Sequence, residues 1–457
     1  MEYLKTYHLI QQTPLIHFQH DQQGATLRAS EVKPKLDKFI IKKMGDAIPN
    51  DWFIPDTKAL NYKMRIVAQG ELEKSQTIET AIKLKNEKDR LRRNNNERNS
   101  QLKRDLEKKL RKEINEMYFG NMVSDNERNY SQKVTEAFKE TVFYSNGAQL
   151  TVTCFIEDLR NAINTYIEEF FFVHNFGTRQ SKGFGGFVIS ESERNGKDPV
   201  TLLSEQGYNF FYVDVNGSPG FKAMMNHAKN IYAMMKGGYN HTKFDKDSYV
   251  KGYIQRDFID EFFNKQTGSD KAYIKKHKSL TENEKKNNRY DSYLFTRALL
   301  GLADYYDFMR GTDEISGGKV DIFSLDKDNF DVERFKSPIT IKVIDNQLFF
   351  IFGSFKEICG KEFYFAPNGI PNRNTFDKMV YKDKKAYIES NSDIFIKIST
   401  LQKFDNDDII KFINLFVKYF ENNKYKLSNF RNRDISMSAN LKIKIPSQLL
   451  RKEYRYG

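Results

Sequence analysis

Three features of the sequence predict an α+β fold. Residues 148–156, AQLTVTCFI, alternate apolar with polar, the pattern of a half-buried strand. From Asp158 a helix follows whose Leu159, Ala162, Ile163, Tyr166, Ile167, Phe170 and Phe171 share a broad apolar face. That helix runs into HNFGTRQSKGFGGF, residues 174–187, and Phe184–Ile189 reads as the next strand. The order strand, helix, glycine-rich turn, strand fits half of a ferredoxin-like unit. After residue 200 the theme returns. YNFFYVDV (208–215) reads as a strand, and Ser218-Pro219 opens a helix carrying Phe221, Met224, Met225, Ala228, Ile231, Tyr232 and Met235.

At 457 residues the chain is long enough for two or three domains with cores of their own. Its 74 Lys+Arg against 61 Asp+Glu give a net charge of +13, a balance that favours a polyanionic partner, nucleic acid before membrane. The two cysteines, Cys154 and Cys359, are far apart and lack zinc-ligand spacing, which argues against a disulfide framework or a cysteine metal site. MEYLKTYHLIQQ has no signal-peptide core and no run of about 18 apolar residues occurs, so a reduced, cytoplasmic protein is expected.

Taken in order, residues 2–11 read as a strand ended by Thr13-Pro14. A polar loop with His17, His20 and Asp21 leads to a helix for which Ser30 is the expected N-cap, with Lys33-Pro34 in its first turn. Residues 60–68 look like a strand. Residues 77–117 read as a charged helical arm with a narrow seam of Leu102, Leu106, Leu110 and Ile114. The polar stretch 190–206 marks a domain boundary. In the second half a basic segment covers 239–292, and YLFTRALLGL (293–302) is helical in character. A hairpin is expected over 333–355 with its turn at Asp345-Asn346, then a strand at 394–399, a helix at 407–421 and a strand at 441–445.

Two stretches carry the candidate chemistry. The start of the first helix gathers Arg28, Ser30, Lys33 and Lys35 beside unpaired backbone N–H groups, a phosphate-binding arrangement. The glycine loop sets Arg179 and Lys182 among Gly177, Gly183, Gly185 and Gly186; successive N–H groups there would cradle an anion. A tight helix-to-strand turn explains the same glycines equally well. His20 and Asp21 are the candidates for general acid/base chemistry in RNA cleavage, with ordinary loop residues as the alternative. The sequence has no P-loop, HExxH or GxSxG motif, and nothing in it calls for a metal or other cofactor.

FIEDLRNAINTYIEEFFFVHNFGTRQSKGFGGF resembles the helix and glycine-rich loop of the RAMP superfamily, the repeat-associated subunits of CRISPR effector complexes. TPLIHF with GATLRASEVKPKL resembles that superfamily's first strand, loop and basic helix start. ERFKSPITIKVI, with YLFTRALLGL before it, is similar to a segment of the head subunit of Cmr-type (type III-B) complexes. The resemblance implies two ferredoxin-like, RNA-recognition-like domains: 1–200 with a helical insertion over about 71–130, and 201–457 with a basic insertion over about 239–292. It also implies a non-catalytic subunit that binds guide RNA and its duplex with target RNA, among other effector subunits and away from membranes. By motif match, Arg28, Ser30 and Lys33 at the helix start and Arg179, Lys182, Gly183, Phe184 and Gly185 in the loop would face RNA, joined by Arg334 and Lys336, with Lys35 added by its place at the same basic helix start. Two alternatives remain open: an RNA endonuclease using His20 and Asp21, and a scaffold that docks partners through the arm.

Overall fold

The computed structural model describes residues 3–16, 26–70, 72–73, 141–144, 147–177, 179–194, 196–217, 220–239, 250–255, 257–263, 268–269, 293–301, 305–308, 318–324, 337–367, 371–372, 375–376, 378–392, 394–428 and 437–450. They mix helices with largely antiparallel sheets, an α+β architecture. His20, Asp21, Arg334, Lys336 and the expected helical arm lie outside the described residues. The chain divides into two compact units. One comprises Met1–Tyr208, Tyr212–Lys229 and Thr340–Ile351; the other comprises Asn209–Phe211, Asn230–Ile339 and Phe352–Gly457.

The first unit runs β1 (Leu4–Gln11), β2 (Leu15–Ile16), α1 (Ala29–Met44), β3 (Lys63–Ala68), β4 (Leu72–Glu73), β5 (Thr141–Tyr144), β6 (Ala148–Thr153), α2 (Glu157–Val173), β7 (Phe187–Ile189) and α3 (Pro199–Glu205). The main sheet has the order β3-β6-β1-β7 with every neighbouring pair antiparallel. Because side chains alternate across a strand, one face of the sheet is buried and the other carries the more exposed positions. Tyr7, Leu9, Leu150 and Val152 point inward onto Val32, Leu36 and Ile40 of α1 and Leu159, Ile163 and Ile167 of α2, all within one buried core. Outward, the register aligns Lys63, Thr153 and Leu4 in one cross-strand row and Arg65, Thr151 and Thr6 in the next. The small strands β2, β5 and β4 pair antiparallel.

Two helix starts differ from expectation. The N-cap of α1 is Arg28, in extended conformation, so Ser30 sits in the first turn and Pro34 in the second, where it cannot donate to the carbonyl of Ser30. The N-cap of α2 is Ile156, and Asp158 joins Glu157 in the first turn, where both complement the helix dipole. Neither cap makes a side-chain hydrogen bond. The strand expected from Phe184 begins only at Phe187, because Gly183 and Gly185 are held in left-handed backbone.

β8 (Asn209–Asp214) is shared by residue between the units, as is α4 (Phe221–Lys236). Beyond them lie the paired strands β9 (Gly238–Tyr239) and β10 (Val250–Lys251), α5 (Asp257–Phe262), β11 (Gly268–Ser269), β12 (Tyr293–Leu294), β13 (Tyr305–Phe308) and β14 (Gly318–Ser324). YLFTRALLGL forms β12 and a single 3-10 turn, Thr296–Leu300, in place of the expected helix. A hairpin follows, β15 (Ile339–Ile344) and β16 (Gln347–Phe352), turning at Asp345, whose φ is 52°. In the first unit its Thr340–Ile351 portion lies beside Tyr212–Asp214, with Tyr212 stacked on Phe349 and Gln347 Nε2 donating to Asp214 at 2.8 Å.

The rest of the second unit contains β17 (Glu362–Pro367), α6 (Tyr381–Ser390), β18 (Ile396–Ser399), α7 (Asn406–Asn423), α8 (Tyr425–Ser428) and β19 (Ile443–Lys444). Six strands form a mixed sheet in the order β11-β12-β18-β17-β14-β13. β8, whose Asn209–Phe211 belong to this unit, is the neighbour of β19 in strand order. Helix α7 begins with a capping box between Asp405 and Asp408 and buries Ile409, Phe412, Ile413 and Phe416. Its Phe412 and Phe416 pack against Tyr253.

Candidate nucleic-acid interface

The glycine loop starts where α2 ends, at His174, and finishes at Phe187 of β7. Asn175 pairs with Gly186 across it, and the Phe176 N–H donates to Gly185 O at 2.9 Å. Gly177, Arg179, Gly183 and Gly185 all have positive φ. Gly185 has no substitute: a Cβ there would stand 1.9 Å from the Phe176 carbonyl oxygen. Between these constrictions Gln180–Lys182 form one 3-10 turn, with Arg179 and Lys182 half-buried at its ends.

The N–H groups of all four glycines are used inside the protein. Gly177 donates to Glu31 Oε1 at 2.8 Å and Gly183 to Gln180 O at 3.2 Å. Gly185 donates to Pro14 O at 2.7 Å and Gly186 to Thr13 Oγ1 at 2.8 Å. These four N–H groups therefore tie the loop to its own protein. Phe184 is fully buried, so it packs the core and does not stack on a ligand.

Two segments far apart in sequence meet here. Lys35 Nζ of α1 donates to Glu31 Oε1 at 2.9 Å, Gln180 Oε1 at 3.1 Å and Asn175 O at 3.3 Å, and lies over the Phe176 ring. Gln180 Nε2 donates back to Gly177 O at 2.6 Å. The start of α1 and the glycine loop thus form one rigid corner. Lys33 is engaged elsewhere, on Asp37 Oδ2 at 2.8 Å and Leu60 O at 2.9 Å, above the Tyr62 ring. Arg28 is half-buried and Ser30 exposed at the same helix end. Lys33 and Lys35 consequently act as internal ties; Arg28, Arg179 and Lys182 are half-buried at the same corner.

Sequence reasoning missed the groups that hold the corner from behind. Thr13, fully buried, donates Oγ1 to Gly183 O at 2.6 Å while accepting from Gly186. Lys342, also fully buried, reaches from β15 to both ends of the loop, donating to His174 O at 2.7 Å and Phe187 O at 3.0 Å. Burial alone pushes its ammonium well below the usual lysine range. Asn175 Nδ2 donates to Gln180 O at 2.7 Å and to Ile341 O at 2.9 Å. At the hairpin turn Asp345 takes two bonds from Arg194, at 2.9 and 3.4 Å. The available signal was Lys342 itself, a single cation inside the apolar run ITIKVI.

Two family models match the chain, the Cmr1 N-terminal domain over residues 2–239 and the Cmr1 C-terminal domain over residues 246–442. The chain belongs to the Cmr1 family. Cmr1 membership makes it a subunit of a Cmr-type, type III-B CRISPR complex, with other effector subunits as its partners. No curated protein and no solved structure matches it. The Cmr1 N-terminal match stops at residue 239, short of the Thr340–Ile351 segment that completes the first unit and backs its loop. Among the described residues no His/Cys/Asp/Glu group could hold a metal ion, and no helix is long and apolar enough to cross a membrane.

Proposed function

We propose that this Cmr1 chain grips the backbone of the guide RNA, or of its duplex with target RNA, at the corner where α1 meets the glycine loop. The observation that carries this reading is the Lys35–Gln180–Glu31 tie, which fixes two basic segments side by side although about 140 residues separate them. Arg28, Arg179 and Lys182 serve as phosphate contacts; Ser30 adds a hydroxyl at the helix end. Lys33, Lys35, Gly183, Phe184 and Gly185 hold the shape. Contacts to phosphate fix register without reading sequence, which leaves the guide's base edges open for pairing. The role is binding in the cytoplasm, within an effector complex, and calls for no cofactor.

The order of elements supports ferredoxin-like scaffolding. β1-α1-β3-β6-α2-β7 is a β-α-β-β-α-β unit with strand order β3-β6-β1-β7. β8, α4, β15, β16, α7 and β19 repeat that order in the chain, with strand order β15-β16-β8-β19. The test is charge reversal. Arg179→Glu with Lys182→Glu should weaken RNA binding at least tenfold and lower the salt slope by about one for each phosphate no longer neutralised. Unchanged affinity and slope, measured by fluorescence anisotropy against a guide–target duplex, would refute the reading.

A further inference from the structure

β3 (Lys63–Ala68) is the outermost strand of the first unit's main sheet, with β6 on one side. Gln69 N–H donates to Gly147 O at 3.0 Å, one step beyond the pairing of Ala68 with Ala148. In an antiparallel ladder, residues alternate between bonding the neighbouring strand and turning away from it. Lys63, Arg65 and Val67 therefore bond β6, and the N–H and C=O groups of Met64, Ile66 and Ala68 point out from the sheet. Among the described residues no group donates to them or accepts from them. The strand lacks a proline, a bulge against β6 and any inward charge, devices that commonly close an edge. Inward, Met64, Ile66 and Ala68 pack on the core yet stay half-buried, which leaves this flank of the core partly open. Outward, Lys63 and Arg65 are exposed and have no side-chain partner among the described residues, and Val67 is 42% exposed.

We propose that the open edge of β3 takes up an extended segment of a neighbouring subunit of the Cmr-type complex, adding a strand to the sheet. Main-chain bonds to Met64, Ile66 and Ala68 hold such a segment, and its side chains set the specificity. Because side chains alternate, the segment carries apolar residues over the half-buried flank and carboxylates, two residues apart, opposite Lys63 and Arg65. Nucleic acid would satisfy the two cations but not the alternating donors and acceptors of a peptide edge. A second copy of this chain fits poorly. Paired antiparallel about Arg65 or Ile66, it sets Arg65 opposite or diagonal to the copy's own Arg65, a like-charge contact. The edge uses none of the residues of the glycine-loop corner and stands without the RNA reading.

The experiment measures binding of the full-length protein, by fluorescence anisotropy, to two labelled peptides of equal composition. One alternates glutamate with valine; the other holds the two residues in separate blocks. The alternating peptide should bind about tenfold more tightly. Equal affinity would mean that the chain's net charge of +13 does the binding, which overturns the added strand. Ile66→Pro removes an N–H that the sheet does not use and should weaken binding of the alternating peptide about tenfold; unchanged affinity overturns the proposal. Lys63→Glu with Arg65→Glu should lose that peptide and take an alternating lysine–valine peptide instead, a reversal that decides the question even where the proline variant does not fold. A double variant that keeps the original preference overturns it. In the assembled complex the amides of Met64, Ile66 and Ala68 should exchange about tenfold more slowly than in the chain alone. Equal exchange overturns the proposal. So does the same slowing on adding only RNA, or on concentrating the chain alone, outcomes that assign the edge to nucleic acid or to a second copy.

Discussion

At the scale of single residues, the corner is governed by Gly185 and Lys342. Gly185→Ala would drive a Cβ to 1.9 Å from the Phe176 carbonyl in left-handed backbone, a clash that neighbouring backbone must absorb. We expect a loss of roughly 3 kcal/mol or more, read by chemical denaturation. Gly183→Ala should cost less, since the nearest atom, Ile341 Cγ2, is 3.3 Å away on a side chain. Lys342 meets two carbonyl oxygens, and a neutral amine has two N–H donors to give them. Its pKa is lower folded than unfolded, so the unfolded chain binds the extra proton and stability rises with pH toward the ordinary lysine value of about 10.4. In Lys342→Met this rise should vanish; an identical pH slope in the two proteins would show the amine to be charged as usual. Sequence could not reveal these roles. Lys33 and Lys35 read as ligand-facing because their partners, Leu60 O, Gln180 and Asn175 O, are supplied only by the fold.

Among the elements, periodicity was legible where burial is one-sided. The alternation of 148–156 and the 3.6-residue stripe of α7 both appear in the structure within a few residues of expectation. Helix starts were less legible, because Arg28 and Ile156 cap α1 and α2 without a side-chain bond; the preceding extended chain sets those starts, and no cap residue announces them. Helix α7 is the contrast. Asp405 caps it, and its carboxyl, beside Lys403 and the Asp408 N–H, is held down at about 2. Its contribution is present above the usual aspartate range and is lost as pH falls through about 2. Asp405→Ala should therefore lower the melting temperature at neutral pH and leave it unchanged in strong acid. Between elements, Glu31 links α1 to the loop through Gly177 and Lys35. Glu31→Ala should cost about 1–2 kcal/mol by stranding the Gly177 N–H, and should weaken duplex binding without removing a positive charge.

On the scale of the molecule, the first unit is not the first stretch of sequence. It needs Thr340–Ile351, which brings Lys342 and Asp345 from beyond the N-terminal match. A fragment ending at residue 239 should therefore show fast amide exchange across 176–186, where the full chain is protected; equal protection would show the loop to be self-supporting. Charge acts at this scale too: with a balance of +13, association with any polyanion is expected to weaken as salt rises.

The late hairpin also sets a temporal order. A ribosome delivers the glycine loop early and its rear support much later, so a nascent or prematurely terminated chain carries the basic residues without the brace that aims them. The braced form of the loop then arrives only with the hairpin, so one buried lysine ties the shape of an early turn to the length of chain already made.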